Sequence, residues 1–345
     1  MKLGDIMVAN YGKSLAESER SPGDIPVFSS AGLTGWHNKE LVNSEAIIIG
    51  RKGNVGSIHY TKGPFYCIDT AYYVLPNAAV NFKFLYYNLI YQKLGCMSDG
   101  SPVPGLKRPQ LYDREISLFD LPTQHKLATI LATYDDLIEN NRRRIALLEE
   151  SARLLYQEWF IKFRFPGHES TRFSNGLPEG WDKVPLRACL TLNYGKALKA
   201  DERNAGEYPV FGSSGVIGFH NKAMVRGPGI IVGRKGNVGS VHWSSKDFWP
   251  IDTAYFVSAD EANFYLFYAL QNIGFMNTDV AVPGLNRDFA YSRELVIPSE
   301  KTMNTFVAEI TIVRNQIEIL YNYNQKLAEA RDLLLPRLMS GEIEV

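Results

Sequence analysis

The stretch Gly50-Arg51-Lys52-Gly53-Asn54-Val55-Gly56-Ser57 returns unchanged as Gly233-Arg234-Lys235-Gly236-Asn237-Val238-Gly239-Ser240, at an offset of 183 residues. The offset holds without a gap from Asn10 to Tyr72, where about 35 of 63 positions are identical to residues 193–255. A repeat of this length exceeds the roughly 20–50 residues of solenoid repeats, so each copy is long enough to bury its own core. The sequence therefore predicts two similar globular domains.

Composition and charge narrow the class of protein only slightly. The chain has 345 residues, of which 45% are hydrophobic and 21% charged, as in an ordinary globular protein. Its three cysteines, Cys67, Cys96 and Cys189, have no counterparts across the repeat, which argues against a disulfide framework and a zinc site. The start has no apolar core of a signal peptide, and no run reaches the ~18 apolar residues of a membrane span, so we expect a cytoplasmic protein.

The balance of charge limits how this chain can bind nucleic acid. Its 37 basic and 37 acidic residues give a formal net charge of zero. Proteins that grip phosphates usually carry an excess of Lys and Arg. Any nucleic-acid binding must therefore come from local patches.

Two long helices are predicted to follow the two globules. The run from Thr123 to Phe165 has neither Gly nor Pro, and it lies between Pro122-Thr123 and Pro166-Gly167, a plausible start and stop. Its apolar residues alternate in steps of four and three, which is the seam of a coiled coil. The first seam comprises Leu127, Leu131, Tyr134, Ile138, Ile145, Leu148, Ala152, Leu155 and Trp159. The second comprises Phe306, Ile310, Val313, Ile317, Leu320, Leu327, Leu334 and Leu338.

The two seams are in register with each other. Leu131, Tyr134, Ile138 and Leu148 match Ile310, Val313, Ile317 and Leu327 at an offset of 179 residues. Two such seams in one chain should bury each other, and antiparallel pairing would give the molecule a pseudo-twofold axis. The same seam predicts that a fragment of residues 1–170 self-associates into a twofold dimer.

Polar residues interrupt both seams. Asn141 and Asn324 either fix the register at some cost in stability or face water or a partner, and Arg331 also interrupts the second seam. Arg142, Arg143 and Arg144 lie beside the first seam, either on a solvated helix face or in contact with phosphate.

The globules combine strands with a few helices. Residues 45–49 form a buried-strand pattern, residues 57–60 a second strand, and residues 81–90 a packed helix. We therefore expect an α/β (α+β) globule, duplicated, that alternates with the long helices. The predicted boundaries are 1–121 for the first globule, 122–165 for the central helix, 166–300 for the second globule and 301–345 for the C-terminal helix.

The glycine-rich loop at residues 50–56 lacks the spacing of a Walker loop, so it is not predicted to bind a nucleotide. One interpretation is that its glycines let backbone amides, Arg51 and Lys52 approach an external polyanion. The other is a structural turn with solvated basic side chains. The identical second copy favours the first interpretation.

Basic and amide side chains of the repeat are the candidate DNA contacts. Asn54 and Asn237 have the chemistry to pair with adenine. The full set of candidates is Lys13, Arg51, Lys52, Asn54, Lys107, Arg108, Lys196, Arg234, Lys235, Asn237 and Arg287.

Two further kinds of repeated residue are open to more than one interpretation. Asp69 and Asp252 either accept from a cytosine amino group or have a structural role beside a threonine. The repeated histidines lack companion ligands at metal spacing, which favours buried or phosphate-facing positions, and no metal site is predicted. These histidines are His37, His59, His220 and His242.

Catalytic motifs are not found in the sequence. There is no Asn-Pro-Pro-Tyr/Phe tetrapeptide of a methyltransferase, no Walker pair, no G-x-S-x-G elbow and no H-E-x-x-H. The chain is predicted to bind rather than to catalyse.

Several segments resemble type I restriction-modification specificity subunits. The central helix does so from Leu121-Pro122-Thr123-Gln124-His125-Lys126-Leu127 through residues 140–150 to Glu158-Trp159-Phe160. So do residues 165–169, residues 176–181 and the ending Arg331-Asp332-Leu333-Leu334-Leu335-Pro336-Arg337-Leu338-Met339-Ser340-Gly341-Glu342-Ile343. The resemblance covers the whole chain.

This resemblance implies a non-catalytic subunit that reads double-stranded DNA. In the family, each of two target-recognition domains reads half of a bipartite site, and the conserved helices form an antiparallel coiled coil. Those helices set the spacing and dock two methyltransferase subunits, and a motor-nuclease (restriction) subunit joins for cleavage. S-adenosylmethionine, ATP and Mg²⁺ are expected on the partner subunits, with no cofactor on this chain and no membrane partner.

The similarity of the two copies predicts similar half-sites in inverted orientation, hence a nearly palindromic split target. The alternative function is a stand-alone sequence-specific DNA-binding protein without enzyme partners. A nuclease would need Asp69 and Asp252 as metal ligands, and a protein-only scaffold is the remaining class.

Overall fold

A computed structural model describes residues 1–77, 80–97, 105–275 and 284–345. The chain divides into two compact units. The first consists of Met1–Arg142 and Tyr321–Val345, and the second of Arg143–Leu320. Each unit therefore contains one globule with part of each long helix.

The described part of the first globule contains seven strands and two short α-helices. Its strands are β1 (Ala9–Tyr11), β2 (Ile25–Ser29), β3 (Gly32–His37), β4 (Ala46–Gly50), β5 (Ile58–Thr61), β6 (Tyr66–Cys67) and β7 (Ala71–Val74). Its helices are α1 (Phe82–Tyr91) and α2 (Arg108–Tyr112), and the long helix α3 (Leu121–Tyr156) follows. One sheet has the order β1-β7-β4-β5, and the other has the order β3-β2-β6.

Strand β4 is apolar along its whole length because both of its faces are covered. Ile47 and Ile49 point into the core that contains α1, whereas Ile48 points to the opposite face, against Phe28 and Phe65. This alternation is the period of two expected of a strand. The hairpin predicted around the glycine-rich loop is confirmed, since β4 pairs antiparallel with β5. The helix predicted at residues 81–90 is also confirmed as α1, which is capped by the Asn81 side chain.

The globule of the second unit repeats this arrangement. Its strands are β8 (Phe173–Ser174), β9 (Leu177–Pro178), β10 (Asp182–Pro185), β11 (Asn193–Tyr194), β12 (Tyr208–Gly212), β13 (Gly215–His220), β14 (Gly229–Gly233), β15 (Val241–Ser244), β16 (Trp249–Pro250), β17 (Ala254–Val257) and β18 (Glu294–Ile297). Its helices are α4 (Phe264–Asn272), α5 (Arg287–Ser292) and the long α6 (Glu300–Met339). The main sheets have the orders β11-β17-β14-β15 and β13-β12-β16, as in the first unit.

The prediction of duplicated mixed globules is confirmed. Strand pairing is antiparallel except for the short β2–β6 and β12–β16 pairs, so the α+β description fits better than α/β. None of the described helices combines the length and apolar character that crossing a membrane requires.

The central helix is shorter than predicted. It begins at Leu121, close to the predicted start, but its α-helical part ends at Tyr156 and is followed by a π-helical turn, Gln157–Ile161. The prediction that the helix reaches Phe165 is therefore wrong. Phe163 adopts a positive φ of 57°, and the chain turns so that Phe160 and Phe165 both pack against Trp181. Burial of these aromatic rings outweighs continuation of the helix.

Within the first unit, α3 and α6 run antiparallel. Leu127 and Leu131, near the start of α3, share a core with Leu335 and Leu338, near the end of α6. Farther along, Asn141 Nδ2 donates to Asn324 Oδ1 at 2.9 Å. The residues at the start of one helix thus meet those at the end of the other.

The second unit shows the same antiparallel pairing. Ile145 packs with Ile317 and Leu320, and Tyr156 lies in one core with Phe306 and Ile310. The predicted antiparallel coiled coil is therefore present in each unit. The structure places the predicted seam residues in buried or half-buried positions: Leu131, Ile138, Ile310 and Ile317 are buried, and Tyr134, Leu148, Val313 and Leu327 are half-buried.

Candidate nucleic-acid interface

The glycine-rich loop between β4 and β5 needs its glycines for steric reasons. Gly53 and Gly56 have φ values of 77° and 74°, in the left-handed region that favours glycine. A Cβ on Gly56 would lie 2.2 Å from the backbone nitrogen of Gly95, and one on Gly50 would lie 2.1 Å from the carbonyl oxygen of Asn54. The identical return of the glycines therefore has a structural cause, but this does not account for the return of the basic residues.

Substitution of Gly56 with alanine is expected to destabilise the first globule by about 2–4 kcal/mol, because strain at positive φ adds to the overlap with Gly95. Chemical denaturation of the intact chain measures this loss. Gly63→Ala is the matched control, since no atom lies within 4 Å of a Cβ built there. Equal stabilities of the two variants would contradict the steric explanation.

Backbone contacts join the glycine-rich loop to the segment that follows residue 104. Lys52 forms a β-bridge with Gly105, and the Leu106 amide donates to the Arg51 carbonyl at 2.9 Å. The Tyr72 hydroxyl donates to the Leu106 carbonyl at 2.9 Å. These contacts place Arg108, the first residue of α2, beside the loop.

The second globule forms the same contacts. Lys235 bridges Gly284, the Leu285 amide donates to the Arg234 carbonyl at 2.7 Å, and the Tyr255 hydroxyl donates to the Leu285 carbonyl at 2.9 Å. Arg287, the first residue of α5, is thus held near the second loop. The flanking residues Val103, Pro104, Val282 and Pro283, which also match across the repeat, lie outside the described residues.

The first arginine–tyrosine cluster consists of Tyr11, Arg51, Tyr72 and Arg108. The guanidinium carbons of Arg108 and Arg51 lie 4.2 Å and 5.0 Å from the centroid of the Tyr11 ring. The Tyr11 and Tyr72 rings are 5.1 Å apart, centroid to centroid. The two guanidinium–ring distances are within the ~6 Å range of cation–π contacts. Tyr11 is 46% exposed, so the cluster lies at the surface.

The second arginine–tyrosine cluster consists of Tyr194, Arg234, Tyr255 and Arg287. Arg287 and Arg234 lie 4.8 Å and 5.0 Å from the Tyr194 centroid, and the rings of Tyr194 and Tyr255 are again 5.1 Å apart. Tyr194 is 47% exposed. Both globules therefore present two guanidinium groups on one exposed tyrosine.

The positive charges of the clusters are not neutralised by carboxylates within the described part of the chain. Arg51 and Arg234 each donate to a backbone carbonyl at 3.1 Å, that of Asp69 and of Asp252, and Arg108 donates to the Ala9 carbonyl at 3.3 Å. No salt bridge involves any of the four arginines there. The hydrogen bond to Tyr72, together with the charges of Arg108 and Arg51, lowers the pKa of Tyr11. Such a surface attracts an anion.

A concave surface adjoins each cluster. The first cluster lines a cavity of about 610 Å³ together with Lys52 and Lys107. The second lines a cavity of about 130 Å³ together with Lys235 and Asn286. The structure thus brings together seven of the predicted contacts in two groups: Arg51, Lys52, Lys107 and Arg108, and Arg234, Lys235 and Arg287.

The remaining predicted contacts lie apart from these cavities. Lys13, Asn54, Lys196 and Asn237 are exposed, but they are not among the described residues that line either cavity. Their contact with DNA stays a prediction.

Sequence reasoning missed the tyrosines of the clusters. Tyr11 and Tyr194 lie in the repeated Asn-Tyr-Gly-Lys motif, and Tyr72 and Tyr255 end the repeated Ile-Asp-Thr-Ala-Tyr motif. Their identical return was an available signal. The stacking itself could not be seen, because Tyr11 and Arg108 are far apart in sequence.

Two of the paired histidines, His37 and His220, have structural hydrogen bonds. His37 Nδ1 accepts from the Ser21 amide, and His220 Nδ1 accepts from the Asn204 amide, each at 3.1 Å. Burial lowers the pKa of His59, which favours its neutral form. Of their alternative interpretations, the structure supports buried positions for His37 and His220.

Comparisons with known proteins identify the family of this chain. The model of the type I restriction modification DNA specificity domain matches residues 1–150 and 178–326. The chain is 23% identical to the type I restriction enzyme MjaIX specificity subunit of Methanocaldococcus jannaschii, over 87% of this chain and 78% of that protein. It is also 26% identical to the EcoprrI specificity subunit of Escherichia coli, over 39% of this chain and 35% of that protein.

A solved structure shares the fold. The S subunit of a type I restriction-modification system from M. genitalium superposes with a TM-score of 0.60 at 17% identity, covering 98% of this chain and 95% of that one. Because the family model matches most of the sequence, the chain belongs to the type I restriction-modification DNA specificity family.

Proposed function

We propose that this chain is the DNA-recognition subunit of a type I restriction-modification complex, and that each arginine–tyrosine cluster contacts one half of a bipartite double-stranded target. The observation that carries the proposal is the occurrence of the same cluster in both globules, with no carboxylate partner for its arginines among the described residues. A purely structural cation–π pair would not require two guanidinium groups at the same exposed ring in each copy.

The chemistry of the cluster suits DNA. A guanidinium group presents parallel N–H donors that match a phosphate or the O6 and N7 atoms of guanine. Stacking on Tyr11 or Tyr194 holds the arginine side chains in place before binding, which lowers the entropy lost on binding. The adjoining lysines, Lys52 and Lys235, add charge at the rim.

The similarity of the clusters supports a nearly palindromic target. The ring separations are equal at 5.1 Å, and the Arg51 and Arg234 distances are equal at 5.0 Å. Clusters this similar should select similar bases or phosphates in the two half-sites. Lys107 and Asn286 occupy equivalent positions with different chemistry, so a difference between the half-sites is expected where these residues reach the DNA.

Exposed apolar side chains on the long helices support docking of methyltransferase subunits. Leu147 and Leu154 are seven residues apart, on one face of α3, and are 71% and 45% exposed. Ile312 and Ile319 have the same spacing on α6 and are 60% and 52% exposed. Apolar rows of this kind mark sites of protein–protein contact.

The proposed complex distributes its tasks among subunits. This chain supplies specificity without catalysis, two methyltransferase subunits use S-adenosylmethionine, and a motor-nuclease subunit uses ATP and Mg²⁺. The proposed place of action is the cytoplasm. Since the partners also contact DNA, a net charge of zero on this chain is compatible with its function.

Co-expression with the cognate methyltransferase subunit, followed by single-molecule sequencing of host DNA, tests the proposal. We expect a split motif with one modified adenine in each half and nearly inverted half-sites. Wholly unrelated halves would contradict the near-palindromic target. Tight site-specific binding by the purified chain alone, with no methylation in the complex, would favour a stand-alone DNA-binding protein.

A further inference from the structure

The helix pair of the first unit is crossed by an amide–amide hydrogen bond and a salt bridge. Asn141 Nδ2 donates to Asn324 Oδ1 at 2.9 Å, and Arg331 Nη1 forms a salt bridge of 2.5 Å with Asp135 Oδ1. The other carboxylate oxygen of Asp135 accepts from the Tyr87 hydroxyl at 2.6 Å. The side chains of Arg331 and Asp135 are only 28% and 29% exposed, so solvent screens this pair weakly.

The internal repeat assigns each of these residues a counterpart on the other helix. At the offset of 179 residues, Asn141 matches Leu320 and Ile145 matches Asn324. Likewise, Asp135 matches Arg314 and Ala152 matches Arg331. A polar residue on one helix thus corresponds to an apolar or oppositely charged residue, or to alanine, on the other.

The second unit has different residue types at the equivalent positions of its helix pair. Where the first unit pairs two asparagines, the second packs Ile145 with Leu320. Where the first unit has a salt bridge, the repeat assigns Ala152 and Arg314 to the equivalent positions of the second unit. Ala152 is buried, and the guanidinium carbon of Arg314 lies 5.5 Å from the centroid of the Phe267 ring. In each unit, therefore, the residues of α3 are complementary to those of α6, and neither helix is complementary to itself.

Pairing of a helix with its own copy in a second chain would destroy this complementarity. In an α3–α3 pair, Asn141 would face Ile145 of the second copy, and Asp135 would face Ala152, twice in each case. In an α6–α6 pair, Asn324 would face Leu320, and Arg331 would face Arg314. Half-buried amides would lack partners in both pairs, and like charges would meet in the second.

We infer that the Asn141–Asn324 and Asp135–Arg331 pairs select pairing of α3 with α6 and reject pairing of either helix with the same helix of a second copy. The apolar seam alone does not discriminate between these arrangements, because the seams of the two helices are alike. Polar residues at single seam positions are known to determine partner choice in this way. The same two pairs also oppose the self-association expected for a fragment of residues 1–170.

The test uses a variant of the intact chain in which α6 no longer matches α3 but matches a second copy of itself. Asn324→Ile with Arg331→Asp places an isoleucine opposite Asn141 and an aspartate opposite Asp135 within the chain. In an α6–α6 pair, the introduced isoleucine would instead face Leu320, and the introduced aspartate would face Arg314. We expect the wild-type chain to be monomeric by light scattering and this double variant to be a dimer.

The matched control keeps the altered α6 and restores its partner helix. Adding Asn141→Leu and Asp135→Arg re-creates an apolar pair and a salt bridge between α3 and α6, so the quadruple variant should be monomeric. A double variant that stays monomeric with an unchanged Tm overturns the inference. So does a wild-type chain that is itself a dimer through these helices, located by cysteine cross-linking.

If the double variant does not fold, a double-mutant cycle measured by thermal unfolding tests the inference instead. Asn141→Leu and Asn324→Ile are each expected to lower Tm by about 2–5 °C, because each leaves one half-buried amide opposite an alkyl group. Their combination copies the Ile145–Leu320 pair of the second unit and should recover at least half of the loss. Additive losses would overturn the inference.

Discussion

Removal of Arg51 and Arg234 together, as Arg51→Ala with Arg234→Ala, should weaken site-specific DNA binding by between about 30-fold and 20,000-fold. Each guanidinium–DNA contact contributes about 1–3 kcal/mol, and one contact is lost from each half of the target. The chain should stay folded, because the hydrogen bonds that these side chains donate within the protein end on exposed carbonyl groups. Anisotropy titration of the methyltransferase complex at several salt concentrations measures the effect.

The control removes the same charge from elsewhere on the two globules. Lys62 and Lys246 are exposed and line neither cavity, so Lys62→Ala with Lys246→Ala should change binding by no more than about threefold. A phosphate contact at the clusters would also lower the slope of binding against salt by about one for each arginine removed. Equal losses for the arginine and lysine variants would refute a specific contribution from the clusters.

Replacement of Phe306 with alanine should destabilise the second unit by about 3–5 kcal/mol, the usual cost of truncating a fully buried phenylalanine. Phe306 has no exposed surface, and its ring centroid lies 4.8 Å from that of Phe160 and 5.7 Å from that of Trp159. It thus joins the start of α6 to the end of the central helix and its π-helical turn. Urea denaturation followed by tryptophan fluorescence measures the loss.

Leu333→Ala is the corresponding control on the same helix. Leu333 is 72% exposed, so its truncation should change stability by less than about 0.5 kcal/mol. If Phe306→Ala were equally mild, the aromatic core would contribute little to holding α6. In that case the pairing of the helices in the second unit would rest on Ile145, Ile317 and Leu320.

The repeat and the seams were predictable because they are written as patterns along the chain. Identity at a fixed offset requires only comparison of the sequence with itself, and alternating steps of four and three require only helical geometry. The hairpin around the glycine-rich loop followed from β-strand patterns on both sides of a run of glycines. The strands, the helices and the duplication could therefore be predicted from local sequence patterns.

The end of the central helix could not be predicted from the local sequence. Nothing between Tyr156 and Phe165 breaks a helix by its own propensity, since neither Gly nor Pro occurs there. The chain leaves the helix because Phe160 and Phe165 pack against Trp181, a residue that follows in the second globule. Burial of aromatic surface at a distance in sequence outweighed local preference.

Two like globules and two like helices, with basic loops at matching positions, could be predicted from the order of the amino acids. Only in the folded chain does Arg108 stack on Tyr11 beside Arg51, and only there does Asn141 meet Asn324 and Asp135 meet Arg331. The reason is physical: periodicity and propensity act between neighbours in the chain, whereas cation–π contacts, ion pairs and amide pairs depend on distances that exist only after the chain has folded.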